Sequence, residues 1–328
     1  MGIVAEMVGL YPVRVLPGDR VFLVAPSEDV LTAGLRQGVD LRYGCRHGKC
    51  TTCKYVVVEG DVVHHGASPY AFSDRELEEG GVLLCSTFAR SPLVISPFGG
   101  QLACDGAVLI PPQEYTATVL AVEPVSPELV ELCLQPDSPL SYRPGQYVEI
   151  DVVGRGPRGS YSMTGPPGPA GELRFLIDAA QRRVLAALAD ARGQPVGILG
   201  PFGRFYHHPA KRPVLLVATG AGLGPILAIL REELARPDGP PVHLFYGAGR
   251  DGIPTGPEYE AIDYSPVELL GGGRSRLGPI VRRIGQEIRD ASGCDAYIAG
   301  PVELCDAVES LLTAKGLPER RCFVERFY

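Results

Sequence analysis

The chain has 328 residues, which exceeds one ordinary core and suits two or three domains. Hydrophobic residues make up 45% and charged residues 21%, a soluble globular balance rather than a disordered one. A net charge of −7, with no basic run interleaved with aromatics, argues against a nucleic-acid binder.

Residues 1–10 are mildly apolar but carry Glu6 and no basic n-region, so no signal peptide is expected and the chain is assigned to the cytoplasm. The first region, 1–106, has β-type runs at Val13–Val15, Val21–Val24, Tyr55–Val58 and Leu93–Ile95, and one helix near Val30–Gln37. Ser73-Asp74-Arg75-Glu76 has the form of a capping box opening a short acidic helix. The second region, 107–208, has short alternating runs at Tyr115–Val122, Leu129–Leu134, Gln146–Val152, Leu173–Ile177 and Val196–Leu199. Turn signals separate them, which predicts a small antiparallel barrel. In the third region, 209–328, strands (Val214–Ala218, Val242–Tyr246, Val267–Leu270, Ala296–Ala299, Cys322–Glu325) alternate with helices near Pro225–Ala235, Leu277–Ile288 and Pro301–Lys315. That alternation predicts a parallel sheet covered on both faces. Pro213 to Leu230 is uncharged for 18 residues, but Gly220, Gly222, Gly224 and Pro225 divide it into strand, turn and helix start, so it reads as core rather than as a membrane span.

Nine cysteines are present. Cys45, Cys50 and Cys53 follow the spacing C-x4-C-x2-C, and Cys85 lies further on, the plant-type [2Fe–2S] pattern. Two irons need four thiolates: three from a wrapping loop and one from a separate segment. Gly44 and Gly48 let the loop backbone approach and aim N–H groups at the sulfurs. The alternatives are a zinc site, which would show two C-x2-C pairs, or buried structural thiols. Cys104, Cys133, Cys294, Cys305 and Cys322 lack ligand spacing and read as small core residues. His64-His65 and His207-His208 read as surface or turn residues, and His47 as a loop residue. Thr219-Gly220-Ala221-Gly222-Leu223-Gly224-Pro225 follows an apolar strand and opens a helix, the context of a phosphate-cradling turn.

The stretch CRHGKCTTCKY…EGDV…ASPYAFSD…LLCSTFAR, followed by the barrel and nucleotide patterns, resembles the reductase components of bacterial multicomponent (soluble di-iron) monooxygenases. These belong to the ferredoxin–NADP⁺ reductase-like superfamily with an N-terminal plant-type ferredoxin. The resemblance implies a multidomain α+β, β-barrel and α/β chain: a β-grasp ferredoxin over 1–106, a six-stranded antiparallel FAD-binding barrel over 107–208, and a parallel-sheet NAD(P)H-binding domain over 209–328.

It also implies site residues. The family's R-x-Y-[ST] flavin motif appears as Arg158-Gly159-Ser160-Tyr161-Ser162. Tyr161 and Ser162 match, while the arginine sits one residue upstream of its usual place and reaches only if Gly159 bulges the strand. The G-x-x-S helix start falls on Ala179–Leu185 without Gly or Ser, leaving Arg182 and Arg183 as sources of charge. Gly200 to Phe205 fits the G-P-x-G-x-F turn. Thr219, Gly220, Gly222 and Pro225 match the nucleotide turn. Ala299-Gly300-Pro301 stands where the family has C-G-P. Glu325-Arg326-Phe327 matches the C-terminal E-x-aromatic, with Phe327 or Tyr328 shielding the flavin. Tyr161, Ser162, Glu325 and Phe327 are thus the implied catalytic set.

The implied activity passes electrons from NADH through FAD and the [2Fe–2S] cluster to an oxygenase or hydroxylase. Arg250, Arg274 and Arg276 lie where a 2′-phosphate would bind, which keeps NADPH open. Two other readings stand beside it: a non-catalytic iron–sulfur relay or assembly subunit with weak or no flavin, and the same reductase serving a ring-hydroxylating dioxygenase or deoxysugar dehydratase. Up to residue 106 there are 12 Asp+Glu against 9 Lys+Arg, a mild acidity that would steer a basic docking face.

Overall fold

The computed structural model describes residues 9–99, 109–152, 158–168, 170–249, 252, 254 and 277–327, and the backbone of 265–268. The chain divides into two compact units, residues 1–113 and 114–327.

The first unit is a mixed sheet with one helix laid across it. Strands β1 (Tyr11–Val15), β2 (Arg20–Val24), β3 (Lys54–Glu59), β5 (Gly81–Leu83) and β7 (Leu93–Pro97) stand in the order β2-β1-β7-β3-β5. The β1–β7 pair is parallel and the other pairs are antiparallel. β4 (Val62–His64) and β6 (Thr87–Ala89) form a separate ribbon. Helix α1 (Val30–Arg36) buries Val30 through Leu35, and Asp29 caps it by accepting the Thr32 N–H at 2.8 Å. Gly34 lets α1 approach closely, because a Cβ there would lie 2.5 Å from Leu41 Cδ1. The capping box forms at α2 (Asp74–Glu78).

The second unit begins with β8 (Gln113–Pro124), β9 (Leu129–Pro136), β10 (Tyr147–Asp151), β11 (Gly159–Ser162), β12 (Leu173–Asp178) and β13 (Pro195–Phe202). Their order is β11-β10-β13-β8-β9-β12, and a Met163–Phe175 bridge brings the two edges together into a nearly closed barrel. Alternate residues fill its interior, among them Val148, Ile150, Leu173 and Phe175, and helix α3 (Arg182–Asp190) adds Ala187 and Leu188. The chain continues through β14 (Val214–Thr219), α4 (Leu223–Leu234), β15 (Val242–Ala248), β16 (Ser265–Glu268), α5 (Gly278–Glu287), β17 (Asp295–Pro301), α6 (Val302–Ala314) and β18 (Cys322–Phe327). These strands make a parallel sheet in the order β16-β15-β14-β17-β18. No helix among the described residues is long and apolar enough to cross a membrane. The uncharged stretch is β14, a short 3-10 turn and the start of α4.

The connection from barrel to parallel sheet is tightly held. His207 is buried, with its Nε2 2.5 Å from Glu233 Oε1, and Glu233 also accepts from Arg236 at 2.6 Å. Tyr206, His208, Phe323 and Tyr297 stack in sequence with centroids 4.5, 4.5 and 4.7 Å apart. The expectation that His207 and His208 are surface or turn residues is therefore corrected. Both are drawn inward, by a buried carboxylate and by aromatic stacking. His64 is also engaged, accepting the Leu83 N–H at 3.1 Å.

Candidate redox site

The cysteine loop lies between α1 and β3. It turns through left-handed backbone at Arg46 (φ 60°), Gly48 (φ 71°) and Thr51 (φ 59°). Only glycine fits at 48, where a Cβ would lie 2.6 Å from the Gly66 carbonyl oxygen. Arg46 anchors the loop to α1 through a 2.8 Å bond from Nη2 to Thr32 Oγ1.

The four sulfurs form two pairs. Cys45 and Cys50 accept each other's backbone N–H, at 3.3 Å onto Cys45 Sγ and 3.2 Å onto Cys50 Sγ, and the His47 N–H points at Cys45 Sγ from 3.4 Å. Cys53 Sγ and Cys85 Sγ are 3.4 Å apart. A hydrogen bond from Cys45 brings the Cys50 thiol down to about 5 and correspondingly raises Cys45. In the second pair, the hydrogen bond from Cys53 lowers Cys85, helped by Ser86 and the Gly48 N–H, and Cys53 is raised. Among the described residues no three His, Cys, Asp or Glu side chains converge to hold a single ion. Two pairs of sulfurs within a shell of backbone donors suit two irons better than one zinc. Of the other thiols, Cys133 and Cys305 are buried, Cys294 and Cys322 are half-buried, and Cys104 lies outside the described residues.

In the second unit, Tyr161 and Ser162 close strand β11. Tyr161 is buried, its ring folds back over Gly159, and its hydroxyl donates to Gln181 Oε1 at 3.0 Å. Burial pushes the phenol up to about 12. A Cβ at Gly159 would lie 2.3 Å from the Tyr161 hydroxyl, so the ring occupies the space that the family's arginine would use. Arg158 is not brought to Tyr161. It lies one residue out of phase and ion-pairs with Asp151 at 3.2 Å and Glu149 at 3.7 Å. Gln181 precedes α3, whose first turn carries exposed Arg182 and Arg183 and no acidic residue. Such a helix start favours an anion. Tyr161, Gln181 and the two arginines thus form one continuous edge, which fits a flavin diphosphate whose charge is met from the helix instead of the strand.

The nucleotide turn abuts this edge. Gly224 faces β11, where a Cβ would stand in ordinary contact with the Ser162 carbonyl oxygen at 3.6 Å. A Cβ at Gly222 would lie 2.3 Å from the Ala299 carbonyl oxygen. Thr219 is buried, and its Oγ1 has no hydrogen-bond partner among the described residues. A buried orphan hydroxyl is costly, and a ligand entering between Thr219 and Gly300 would satisfy it. Gly220 takes φ 53°, and Pro225 lies inside the first turn of α4. β18 brings the C-terminal motif alongside: Glu325 pairs with Ala299 and Phe327 with Pro301, leaving Phe327 partly exposed. Gly200 sits where β13 crosses β10, with space for a Cβ only 2.8 Å from Val148 Cγ1. Arg250, Arg274, Arg276 and Tyr328 lie outside the described residues. Gln181 and Gly159 went unread as partners of Tyr161. Gly159 interrupts a known motif, and that interruption was the available signal.

Residues 13–90 match the family of 2Fe-2S iron-sulfur cluster binding domains. Over its whole length the chain is similar to the reductase component of propane 2-monooxygenase from Rhodococcus jostii, at 30% identity over 95% of this chain and 90% of that one. It is equally similar to the reductase component of phenol 2-monooxygenase from a Pseudomonas species, at 30% identity over 97% and 94%. The chain belongs to the reductase components of bacterial multicomponent monooxygenases. Among solved structures, the Amycolatopsis cytochrome P450 reductase GcoB matches with TM-score 0.83 and 27% identity over 97% of this chain and 98% of that one. The ferredoxin reductase of carbazole 1,9a-dioxygenase matches with TM-score 0.81 and 25% identity over 97% and 98%. The strand glycine at 159 is this chain's departure from the flavin motif.

Proposed function

We propose that the protein takes electrons from NADH and passes them through FAD and a [2Fe–2S] cluster to the oxygenase or hydroxylase component of a monooxygenase. The observation that carries this is the end-to-end match to reductase components, 95% of the chain at 30% identity, with both sulfur pairs and the nucleotide turn in order. A flavin accepts two electrons together and a [2Fe–2S] cluster carries one, so the two groups together convert a hydride donor into a single-electron source.

The chain's own residues do the holding. Cys45, Cys50, Cys53 and Cys85 bind the irons. Tyr161 and Ser162 lie against the flavin ring, Arg182 and Arg183 meet its diphosphate, and Gly200 lets β13 and β10 close behind it. Thr219, Gly220, Gly222 and Pro225 cradle the NADH pyrophosphate. Gly300 and Pro301 shape the nicotinamide pocket, with Phe327 covering it and Glu325 at its edge. Three domains, 1–106, 107–208 and 209–328, divide this work. Free thiols at Cys45, Cys50, Cys53 and Cys85 fit a reducing compartment, and the proposal places the protein in the cytoplasm.

The test is NADH-dependent reduction of cytochrome c by protein with full FAD and cluster occupancy, alongside NADPH as the competing donor. No turnover under those conditions refutes the proposal. Gly159, with Arg158 held by Asp151 and Glu149, favours a second reading: an iron–sulfur relay that binds flavin weakly or not at all. The absorbance spectrum of the purified protein separates the two, since cluster bands without flavin bands support the relay.

A further inference from the structure

We infer that Arg326 is a positioning residue: an ionic brace to helix α6 that holds Phe327 in place over the nicotinamide pocket and so sets how hard the nicotinamide must compete to enter. The inference rests on the proposed function, which gives Phe327 that place, and adds what fixes it there.

The pleat of β18 separates the brace from the cover. Cys322 and Val324 pack with Cys305 and Val308 on the side of α6. Phe323 packs on the opposite side, stacked on Tyr297 at 4.7 Å. Alternation continues that division, so Arg326 falls on the α6 side and Phe327 on the other. The contacts agree. Arg326 Nε donates to Asp306 Oδ1 at 3.0 Å, and its Nη2 donates to Glu309 Oε2 at 2.5 Å. Asp306 and Glu309 stand three residues apart, which puts them side by side on one face of α6.

The strand end has few other holds. β18 is the edge strand of its sheet, paired with β17. Its last pair sets Phe327 against Pro301, and a proline cannot donate to the ladder. Phe327 leaves 37% of its surface exposed, so packing alone does not fix it. One further contact comes from the same stretch of α6. The buried Cys305 Sγ lies 3.5 Å from the Gly300 carbonyl oxygen and 3.6 Å from the Glu325 carbonyl oxygen. Helix α6 begins at Val302, directly after the Gly300–Pro301 floor of the pocket. Its first two turns therefore tie floor and cover strand together, and Arg326 carries the strand's share of that tie. Arg326 keeps 28% of its side chain exposed, so solvent weakens the two ion pairs without abolishing them. Their loss should loosen the strand end by a modest factor and leave the fold intact.

The experiment measures NAD⁺ and ADP-ribose binding to the oxidised holoprotein by calorimetry. ADP-ribose keeps the adenosine and pyrophosphate but lacks the nicotinamide, so the ratio of the two dissociation constants reads the nicotinamide pocket alone. A cover that closes less often competes less, and the apparent affinity for nicotinamide rises accordingly. Arg326→Gln should tighten NAD⁺ about three- to tenfold and leave ADP-ribose within about twofold. Asp306→Asn combined with Glu309→Gln keeps the arginine and should do the same; it decides if Arg326→Gln does not fold. Phe327→Ala should tighten NAD⁺ at least as much, and adding Arg326→Gln to it should change nothing further.

Equal changes in both ligands would reveal a general structural role and overturn the inference. So would an unchanged ratio in the brace variants, or an effect of Arg326→Gln that survives in Phe327→Ala protein. Failure of NADH to reduce the wild-type flavin would instead sink the proposed function itself. If NADH reduces the flavin but Phe327→Ala leaves the ratio unchanged, the function stands and the brace falls.

Discussion

Gly222→Ala tests the nucleotide turn directly. The glycine has φ −59°, a conformation open to any residue, so the whole cost of a side chain there is steric. The new Cβ would lie 2.3 Å from the Ala299 carbonyl oxygen, 2.7 Å from its carbonyl carbon and 3.0 Å from the Gly300 nitrogen. All three are backbone atoms of β17, so no rotamer change relieves the clash. The turn must move away from the strand, carrying Thr219 and the start of α4 with it. Overpacking of this kind costs about 1–3 kcal/mol, and if the displaced turn loses that much in nucleotide binding, NADH affinity falls by roughly 5- to 150-fold. The assay is NADH titration of the oxidised holoprotein, with flavin and cluster absorbance as controls for the rest of the chain. Unchanged NADH affinity, with normal thermal stability, would refute the reasoning that Gly222 sets the turn against Ala299.

Other outcomes follow from the same geometry. Thr219→Val removes a buried, unpartnered hydroxyl, so it should raise the melting temperature of the nucleotide-free protein while weakening NADH binding; a fall in both would show that the hydroxyl is satisfied at rest. Cys53→Ser or Cys85→Ser should abolish the reduced-cluster resonance while leaving flavin reduction by NADH intact, which rapid-mixing absorbance would show. Lys54, with the Ser73 backbone N–H, brings Glu76 down to about 2, so its contribution to α2 is complete above the unfolded carboxylate range and is lost as pH falls toward 2. Acid titration of the wild type against Glu76→Gln should show that loss only in the wild type. Glu233→Ala leaves His207 and Arg236 without their shared buried carboxylate and should cost about 3–5 kcal/mol in denaturant unfolding; a change near zero would mean that water replaces it.

The sequence disclosed the parts whose residue pattern is local. The spacing of Cys45, Cys50 and Cys53 needs no tertiary information, nor does the Ser73–Glu76 capping box, which formed as read. The strands of the parallel sheet were legible because burial on both faces makes them near-continuous apolar runs, as in Val214–Thr219. Short elements were harder. β4, β5 and β6 have three residues each, too few for any period to show, and they pair only because distant segments meet. The histidine pair at 207–208 looked polar and therefore exposed. Its burial depends on Glu233, 26 residues away, and on Phe323, more than a hundred residues away. The flavin edge was the least legible. Whether Arg158 could reach depended on which side of β11 it faced, and one residue of register decided that. The helix over 182–190 was foreseen only as a start, and Gln181 carries no motif that marks it as the partner of Tyr161.

The clamp over residues 203–212 has a consequence for how such reductases can be recombined. The segment leaves the barrel at Phe202, is pinned to α4 through His207 and Glu233, and threads an aromatic stack ending on Tyr297 of β17 and Phe323 of β18. Its grip on the parallel-sheet side is thus divided among three elements scattered over more than a hundred residues, beside the barrel loop 143–146 that holds Gly203, Tyr206 and His207. A chimera joined at the apparent seam, barrel from one parent and parallel sheet from another, would sever that grip on one side. The exchangeable module is instead the linker together with α4, β17 and β18. A crossover placed just before Gly203 would keep those partners together, whereas one placed just after Arg212 would part them.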